Sequence, residues 1–334
     1  MRAWIVDHEE ADTRRGLRLV ERPDPEPGPG QVRVRVDACG VCRTDLHVVD
    51  GDLPTVHPHV VPGHEVVGHV DRLGPGAERF AIGDRVGVAW LRHTCGSCRP
   101  CRRGAENLCV VPQFTGWTHD GGYAEQVLAP QGWAYRLSRE RPDEQTAPLL
   151  CAGIIGYRAL RRSGFRPGDR LGMWGFGGSA HLTAQVALAM GAELYVVTRG
   201  AAARQLATEL GAIWVGEAGE HPPVSLDAAI SFAPAGDLVP QALASLDRGG
   251  VLSLAGIHVT EIPPLDYQRH LFQERELRSV TANTRADGEA FLALAERIGV
   301  HATVRPYPFE AADVALDDLA NDRFAGAAVL QVRP

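Results

Sequence analysis

At 334 residues, nearly half of them hydrophobic, the chain is long enough for two domains of ordinary size, yet no run approaches the roughly 18 to 20 consecutive apolar residues of a membrane helix. The formal net charge of -7 argues against broad nucleic-acid binding, which depends on a surplus of cations. With no lysine in the chain, Schiff-base catalysis and a Walker-type phosphate lysine are excluded.

The opening residues Met1 to Glu10 turn acidic after one short apolar run. They lack the longer hydrophobic segment of a signal peptide and read as a first strand. From Arg2 to about Leu137 short strands alternate with dense turn punctuation, as in Gln31 to Val36 with its strict polar and apolar alternation. This half is mainly β. From about Cys151 to Phe291 the rhythm becomes strand, helix, strand, helix, which implies a parallel sheet covered by helices. Strands are expected at Arg170 to Trp174, Leu194 to Val197, Asp227 to Phe232 and Val251 to Ala255, with helices at Gly178 to Met190 and Ala201 to Leu210. The last forty residues return to mixed strand and helix and can rejoin the first domain. The expected domains are therefore 1-150 with 292-334, and 151-291.

The seven cysteines are odd in number and mostly clustered, which fits metal binding in a reducing cytoplasm better than a disulfide framework. Cys95, Cys98, Cys101 and Cys109 form C-x2-C-x2-C-x7-C, within a lobe of about residues 93-111. Four thiolates close a tetrahedral coordination sphere, so this spacing points to a structural zinc and leaves no place for a substrate. The remaining cysteines, Cys39, Cys42 and Cys151, together with His64, are candidates for an open site with three protein ligands and a fourth position for chemistry.

Gly175, Gly177, Gly178 and Ala180 follow a predicted strand and open a predicted helix, the setting in which G-x-G-x-x-[GA] cradles a pyrophosphate. About 20 positions on, an NAD enzyme places a carboxylate against the adenosine ribose. Here the second strand ends in Thr198 and Arg199. Nothing there repels a 2′-phosphate and a guanidinium is present to bind it, so NADP is favoured over NAD.

Gly40-Val41-Cys42-Arg43-Thr44-Asp45-Leu46-His47, Gly63-His64-Glu65 with Gly68, the four-cysteine lobe and Cys151 after Leu149-Leu150 together resemble the zinc-dependent alcohol dehydrogenases of the medium-chain dehydrogenase/reductase superfamily. The resemblance extends over essentially the whole chain and implies an α/β architecture, with a GroES-like, mainly β catalytic domain and a Rossmann domain with a doubly wound parallel sheet. It further implies that Cys42, His64 and Cys151 ligate a catalytic zinc, that Glu65 exchanges with water as a transient ligand, and that Asp45 accepts a hydrogen bond from His64. Cys39 matches no ligand position.

By the same resemblance, Thr44 takes the alcohol proton and His47 delivers it to solvent, Trp90 and Trp117 line the substrate cleft, and Arg43 meets the pyrophosphate. A second family arginine before the final strand is replaced by Ala327 after Gly326, leaving Arg43 to serve alone. The expected substrate is a primary or aromatic alcohol or aldehyde, and the expected assembly is a homo-oligomer, a tetramer or else a dimer. A polyol dehydrogenase of the superfamily typically has glutamate at the position of Cys151, a quinone reductase lacks the ligand set, and an inactive zinc-stabilised regulatory homologue would not need it.

Overall fold

The computed structural model describes residues 1–7, 14–54 and 56–333. The first strand runs Arg2–Val6, and His8 to Glu10 of the expected strand segment lie outside the described residues. The chain divides into two compact units, one of residues 1–151, 282–292 and 302–334, the other of 152–281 and 293–301.

The first unit is organised on the long strand Gln31–Val41, whose Val32, Val34 and Val36 are fully buried while Gln31, Arg33 and Arg35 remain partly exposed. That is the alternation a half-covered antiparallel strand requires. The pairing with Val66–Leu73 shifts register between Val36 and Ala38, and from Ala38 to Val41 every residue is buried. The irregularity thus ends the alternation and leads the strand inward just before Cys42. On this last stretch Gln31–Val41 also pairs antiparallel with Ala327–Gln331, from the far end of the chain.

In the second unit the sheet order among the described residues is Trp214–Gly216, Glu193–Val197, Arg170–Trp174, Leu226–Ser231, Leu246–Leu254, Glu276–Ser279, with every neighbouring pair parallel. Counted along the chain this is the order 3-2-1-4-5-6 of a doubly wound sheet, the arrangement that the family resemblance implies. The order reverses between Arg170–Trp174 and Leu226–Ser231, which opens a crevice beyond their carboxyl ends. Leu171, Met173, Val196, Ile230 and Leu252 are fully buried, consistent with helices on both faces.

Several details differ from the sequence expectation. Trp214–Gly216 is too short, and the edge strand Glu276–Ser279 too polar, to announce itself by periodicity. The fifth strand begins earlier, at Leu246. Residues 282–292 pack with the first unit and 293–301 with the second, so 151–291 is not one continuous body. The cause lies at Arg285, whose guanidinium donates to both carboxylate oxygens of Glu106 and stacks 4.2 Å from the Trp133 ring centroid. Three residues on, a Cβ at Gly288 would lie 2.4 Å from the Tyr135 hydroxyl, so only glycine admits this approach.

Candidate active site

The short helix Arg43–Val49 begins at Cys42, its N-cap, and Asp45 reaches back to accept the Cys42 backbone N–H at 2.9 Å. The same carboxylate accepts from the Gly63 N–H at 3.1 Å, His64 Nδ1 at 2.8 Å and the Tyr123 hydroxyl at 3.3 Å. Since a carboxylate can only accept, His64 Nδ1 carries a proton and Nε2 is turned away from Asp45. Asp45 therefore joins the loops that carry Cys42 and His64 into one rigid piece. Two glycines make the approach possible. A Cβ at Gly40 would sit 1.8 Å from Glu65 Oε2, and Gly63, at φ +98°, faces the Tyr123 ring.

Cys42, His64, Glu65 and Cys151 converge so that one ligand atom from each lies within 4.8 Å of the others. The Cys42 and Cys151 sulfurs are 3.9 Å apart. Two thiolates each about 2.3 Å from a tetrahedral zinc would be separated by about 3.8 Å. His64 Nε2 is buried and has no hydrogen-bond partner among the described residues, as expected of an atom that would hold an ion. The donor set thus fits zinc on three counts: ligand chemistry, sulfur spacing and an orphaned imidazole nitrogen.

The electrostatics agree with a site built to hold a cation. The hydrogen bond with Cys151 draws the Cys42 thiol well below its usual range and pushes Cys151 well above it. Burial alone would depress His64, but the charge and hydrogen bond of Asp45, with help from Cys42, raise it well above the ordinary imidazole value. Burial, then the Cys42 charge, pushes Glu65 well above the usual carboxylate range. Cys39 is fully buried, its thiol pushed up by desolvation, and lies outside both cysteine clusters.

Thr44 is buried, with Oγ1 3.8 Å from Cys42 Sγ, and His47 holds Asp52 Oδ2 at 2.7 Å through Nδ1 from a largely covered position. Arg43 projects outward and pairs with Asp322 at 2.5 Å, both side chains well exposed. Such an exposed pair contributes little and is readily exchanged for a stronger anion. Ala327 is buried at the start of its strand after Gly326.

The four-cysteine lobe forms a second cluster of the same tightness. Cys95 and Cys109 sulfurs stand 3.6 Å apart, and the backbone N–H groups of Cys95 and Cys98 point at the sulfurs of Cys109 and Cys95. The Cys98 N–H holds the Cys95 thiol down to about 6, whereas desolvation pushes Cys101 up to about 11. Arg99, Arg102 and Arg103 stand exposed on the same loop.

Beside the mixed cluster rises an aromatic wall. Trp90 meets His64 edge-on at 5.1 Å between ring centroids and stacks on Phe114 at 4.8 Å and on Trp117 at 5.9 Å. Trp117 also donates its indole N–H to Pro54 O at 2.9 Å. Phe114 and Tyr123 escaped the sequence reading, since neither a lone phenylalanine in a two-residue strand nor a tyrosine after two glycines carries a spacing signal.

In the second unit the strand Arg170–Trp174 leads through Gly175, at φ +82°, into the helix Gly178–Ala189 capped by Gly177. A Cβ on Gly175 would strike the Ala233 backbone at 2.9 Å, so packing explains that glycine. Gly177 is different. Its φ is -110° and a Cβ would meet nothing within 4 Å, so neither conformation nor packing demands glycine there. The open cradle at a helix N-terminus fits the approach of a pyrophosphate. Ala180 is fully buried, tightening the helix against the sheet. At the end of the neighbouring strand Glu193–Val197, Thr198 is buried, while Arg199 is exposed and its guanidinium has no partner among the described residues. Arg204 donates to the Arg199 carbonyl at 2.6 Å and pairs with Glu217 at 3.0 Å.

Residues 28–139 match the family of the alcohol dehydrogenase GroES-like domain, and residues 178–297 match the zinc-binding dehydrogenase family. A Mycobacterium tuberculosis protein named "Probable alcohol dehydrogenase AdhA" is 56% identical over 99% of this chain and 97% of its own length. Among solved structures, a cinnamyl alcohol dehydrogenase from Sorghum bicolor is 27% identical with a TM-score of 0.89, covering 99% of this chain and 97% of that one. A cobalt- and zinc-bound thermostable alcohol dehydrogenase from Pyrobaculum aerophilum is also 27% identical, with a TM-score of 0.88 over 99% of both chains. With both family models matched and a relative 56% identical along nearly its whole length, the chain belongs to the zinc-dependent alcohol dehydrogenases of the medium-chain dehydrogenase/reductase superfamily, oxidoreductases that work with a nicotinamide cofactor.

Proposed function

We propose that this alcohol dehydrogenase interconverts primary aromatic alcohols and their aldehydes, with NADP as its preferred cofactor. The observation that carries the substrate class is the Trp90, Phe114 and Trp117 stack laid against the metal-ligand histidine. Rings in such a wall favour a ring-bearing partner through offset and edge contacts worth about 0.5–1.5 kcal/mol beyond area burial. On this reading Cys42, His64 and Cys151 hold the catalytic zinc, with Glu65 as a transient fourth protein ligand, and Cys95, Cys98, Cys101 and Cys109 hold the structural one.

When bound, zinc supplies Lewis acidity that makes an alcohol hydroxyl easier to deprotonate, and the dinucleotide supplies the hydride acceptor. The chain's own groups handle the rest. Asp45 keeps His64 in the tautomer that presents Nε2. Thr44 Oγ1, buried next to Cys42, accepts the hydroxyl proton as it releases its own towards His47, and His47, steadied by Asp52, gives up a proton to solvent. Trp90 and Phe114 exclude water and orient the ring. Gly175, Gly177, Gly178 and Ala180 cradle the pyrophosphate.

Support for NADP comes from Thr198 and from Arg199, unpaired among the described residues, where an NAD enzyme usually carries a carboxylate. We further read the chain as a cytoplasmic homo-oligomer, a tetramer or else a dimer. Its thiol-based sites suit a reducing compartment. The edge strand Glu276–Ser279 and the exposed Ile257, Ile262, Tyr267 and Phe272 suit self-association. Among the described residues no helix is long and apolar enough to cross a membrane.

The test is a steady-state screen of benzyl, cinnamyl and short aliphatic alcohols and aldehydes with NADP and NAD, with and without a chelator. The reading holds if aromatic substrates give the highest kcat/KM with NADP and the chelator abolishes turnover. A preference for aliphatic or polyol substrates would refute it.

A further inference from the structure

Three of the four donors on Asp45 belong to the segments that carry Cys42 and His64. The fourth, the Tyr123 hydroxyl, comes from a segment with no metal ligand. Tyr123 is fully buried and is held at both ends. Its backbone N–H donates to Pro62 O at 2.9 Å, and the preceding Gly122 N–H donates to Gly63 O at 2.9 Å. Its ring lies so close to the Gly63 turn that a Cβ on that glycine would fall 2.4 Å from Cδ1. The hydroxyl therefore reaches Asp45 from a fixed platform.

The four bonds divide evenly. Oδ1 accepts from Gly63 N–H and His64 Nδ1, and Oδ2 accepts from Cys42 N–H and the Tyr123 hydroxyl. The terminal torsion of an aspartate has a broad minimum, so the plane of the carboxylate is set by its donors and not by its rotamer. Without the phenol, Oδ2 keeps one donor, on the same loop as a metal ligand, and the plane facing His64 loses an independent restraint.

We propose that Tyr123 is a positioning residue of the catalytic metal site: by donating to Asp45 Oδ2 it fixes the carboxylate that orients the His64 ring, and so sets the affinity of the site for zinc. This rests on the reading of Cys42, His64 and Cys151 as zinc ligands. Groups that orient a ligating histidine typically change metal affinity by about 10- to 100-fold when removed.

The experiment titrates zinc against a chromophoric chelator in the full-length wild type, Tyr123→Phe and Tyr307→Phe, and records the visible spectrum of each protein after cobalt replacement. Tyr307 is a buried tyrosine that donates to Asp318 at 2.8 Å in another part of the first unit, so its variant loses the same kind of bond away from the metal ligands. The expected result is about 10-fold weaker zinc binding at one site in Y123F, an altered cobalt spectrum, a retained four-cysteine zinc, and a Y307F that matches the wild type. Equal affinity in Y123F and wild type, or equal weakening in Y307F, overturns the role of Tyr123. A wild type that fills the four-cysteine lobe but takes no metal at Cys42 overturns the zinc reading and this proposal with it. If Y123F does not retain the lobe zinc, Tyr123→Met, which fills the space without a donor, is read against the same outcomes.

Discussion

Cys42 and Cys151 stand 109 positions apart in the chain and bring their sulfurs within 3.9 Å of each other. That separation suits two thiolates on one tetrahedral ion, with His64 in the same cluster and its Nε2 unpartnered among the described residues. Replacing Cys151 by alanine is expected to lower zinc content from about two ions to about one per chain and to abolish alcohol oxidation. Metal analysis of the purified variant, with near-unchanged far-ultraviolet circular dichroism, is the check.

Cys98→Ala is the complementary experiment. Loss of one of four thiolates should release the lobe zinc, about one ion per chain, and lower the Tm by several degrees, because a structural zinc contributes directly to folding. Unchanged metal content would remove the zinc from the lobe.

Phe114 stacks on both Trp90 and Trp117 in the aromatic wall, 4.8 Å from one and 5.3 Å from the other. Phe114→Ala should lower kcat/KM for cinnamyl or benzyl alcohol about 3- to 10-fold more than for a short aliphatic alcohol, in line with the value of one aromatic pair. Equal losses for both substrates would make Phe114 a packing residue only.

At the end of Glu193–Val197, Arg199→Ala should cut kcat/KM with NADP by about 10- to 100-fold and leave NAD nearly unaffected, the range expected for one charge-assisted bond to a phosphate. The ratio of the two specificity constants decides it. A wild-type preference for NAD would end the argument before the variant is made.

His181, buried behind the cradle glycines with Nδ1 3.2 Å from Gly177 O, is held by desolvation down to about 4 from an ordinary 6.5. Between these values the unfolded chain binds a proton that the folded chain refuses, so stability is full above about pH 6.5 and falls as the pH drops towards 4. The loss by pH 4 is about 3 kcal/mol. Chemical denaturation of wild type and His181→Gln over that range should give a smaller pH slope in the variant; parallel slopes would disprove the assignment.

The parts of this molecule legible in the sequence are those whose chemistry is rare. Thiols and imidazoles at metal-ligand spacing, and glycines between a strand and a helix, stand out because few other roles need them. The alternation in Gln31 to Val36 likewise announced a half-buried strand, and the burial pattern follows it. What stayed hidden depends on partners remote in the chain. Glu106 and Arg285 are 179 positions apart, and neither looks unusual until the pair is seen. Phe114 reads as any core aromatic until it is found stacked on Trp90, and Tyr123 until its hydroxyl is found on Asp45.

The strand Ala327–Gln331 completes the sheet directly beside Cys39 and Gly40, with Val41 opposite Ala328. Until Ala327–Gln331 docks, the folding chain therefore keeps an open strand edge next to the Cys42 thiol. Contacts of such long range carry a large loop-closure cost and form late. While that edge stays bare it can pair with a neighbouring chain, so the shielding of the Cys42 segment is tied to one of the last contacts to form.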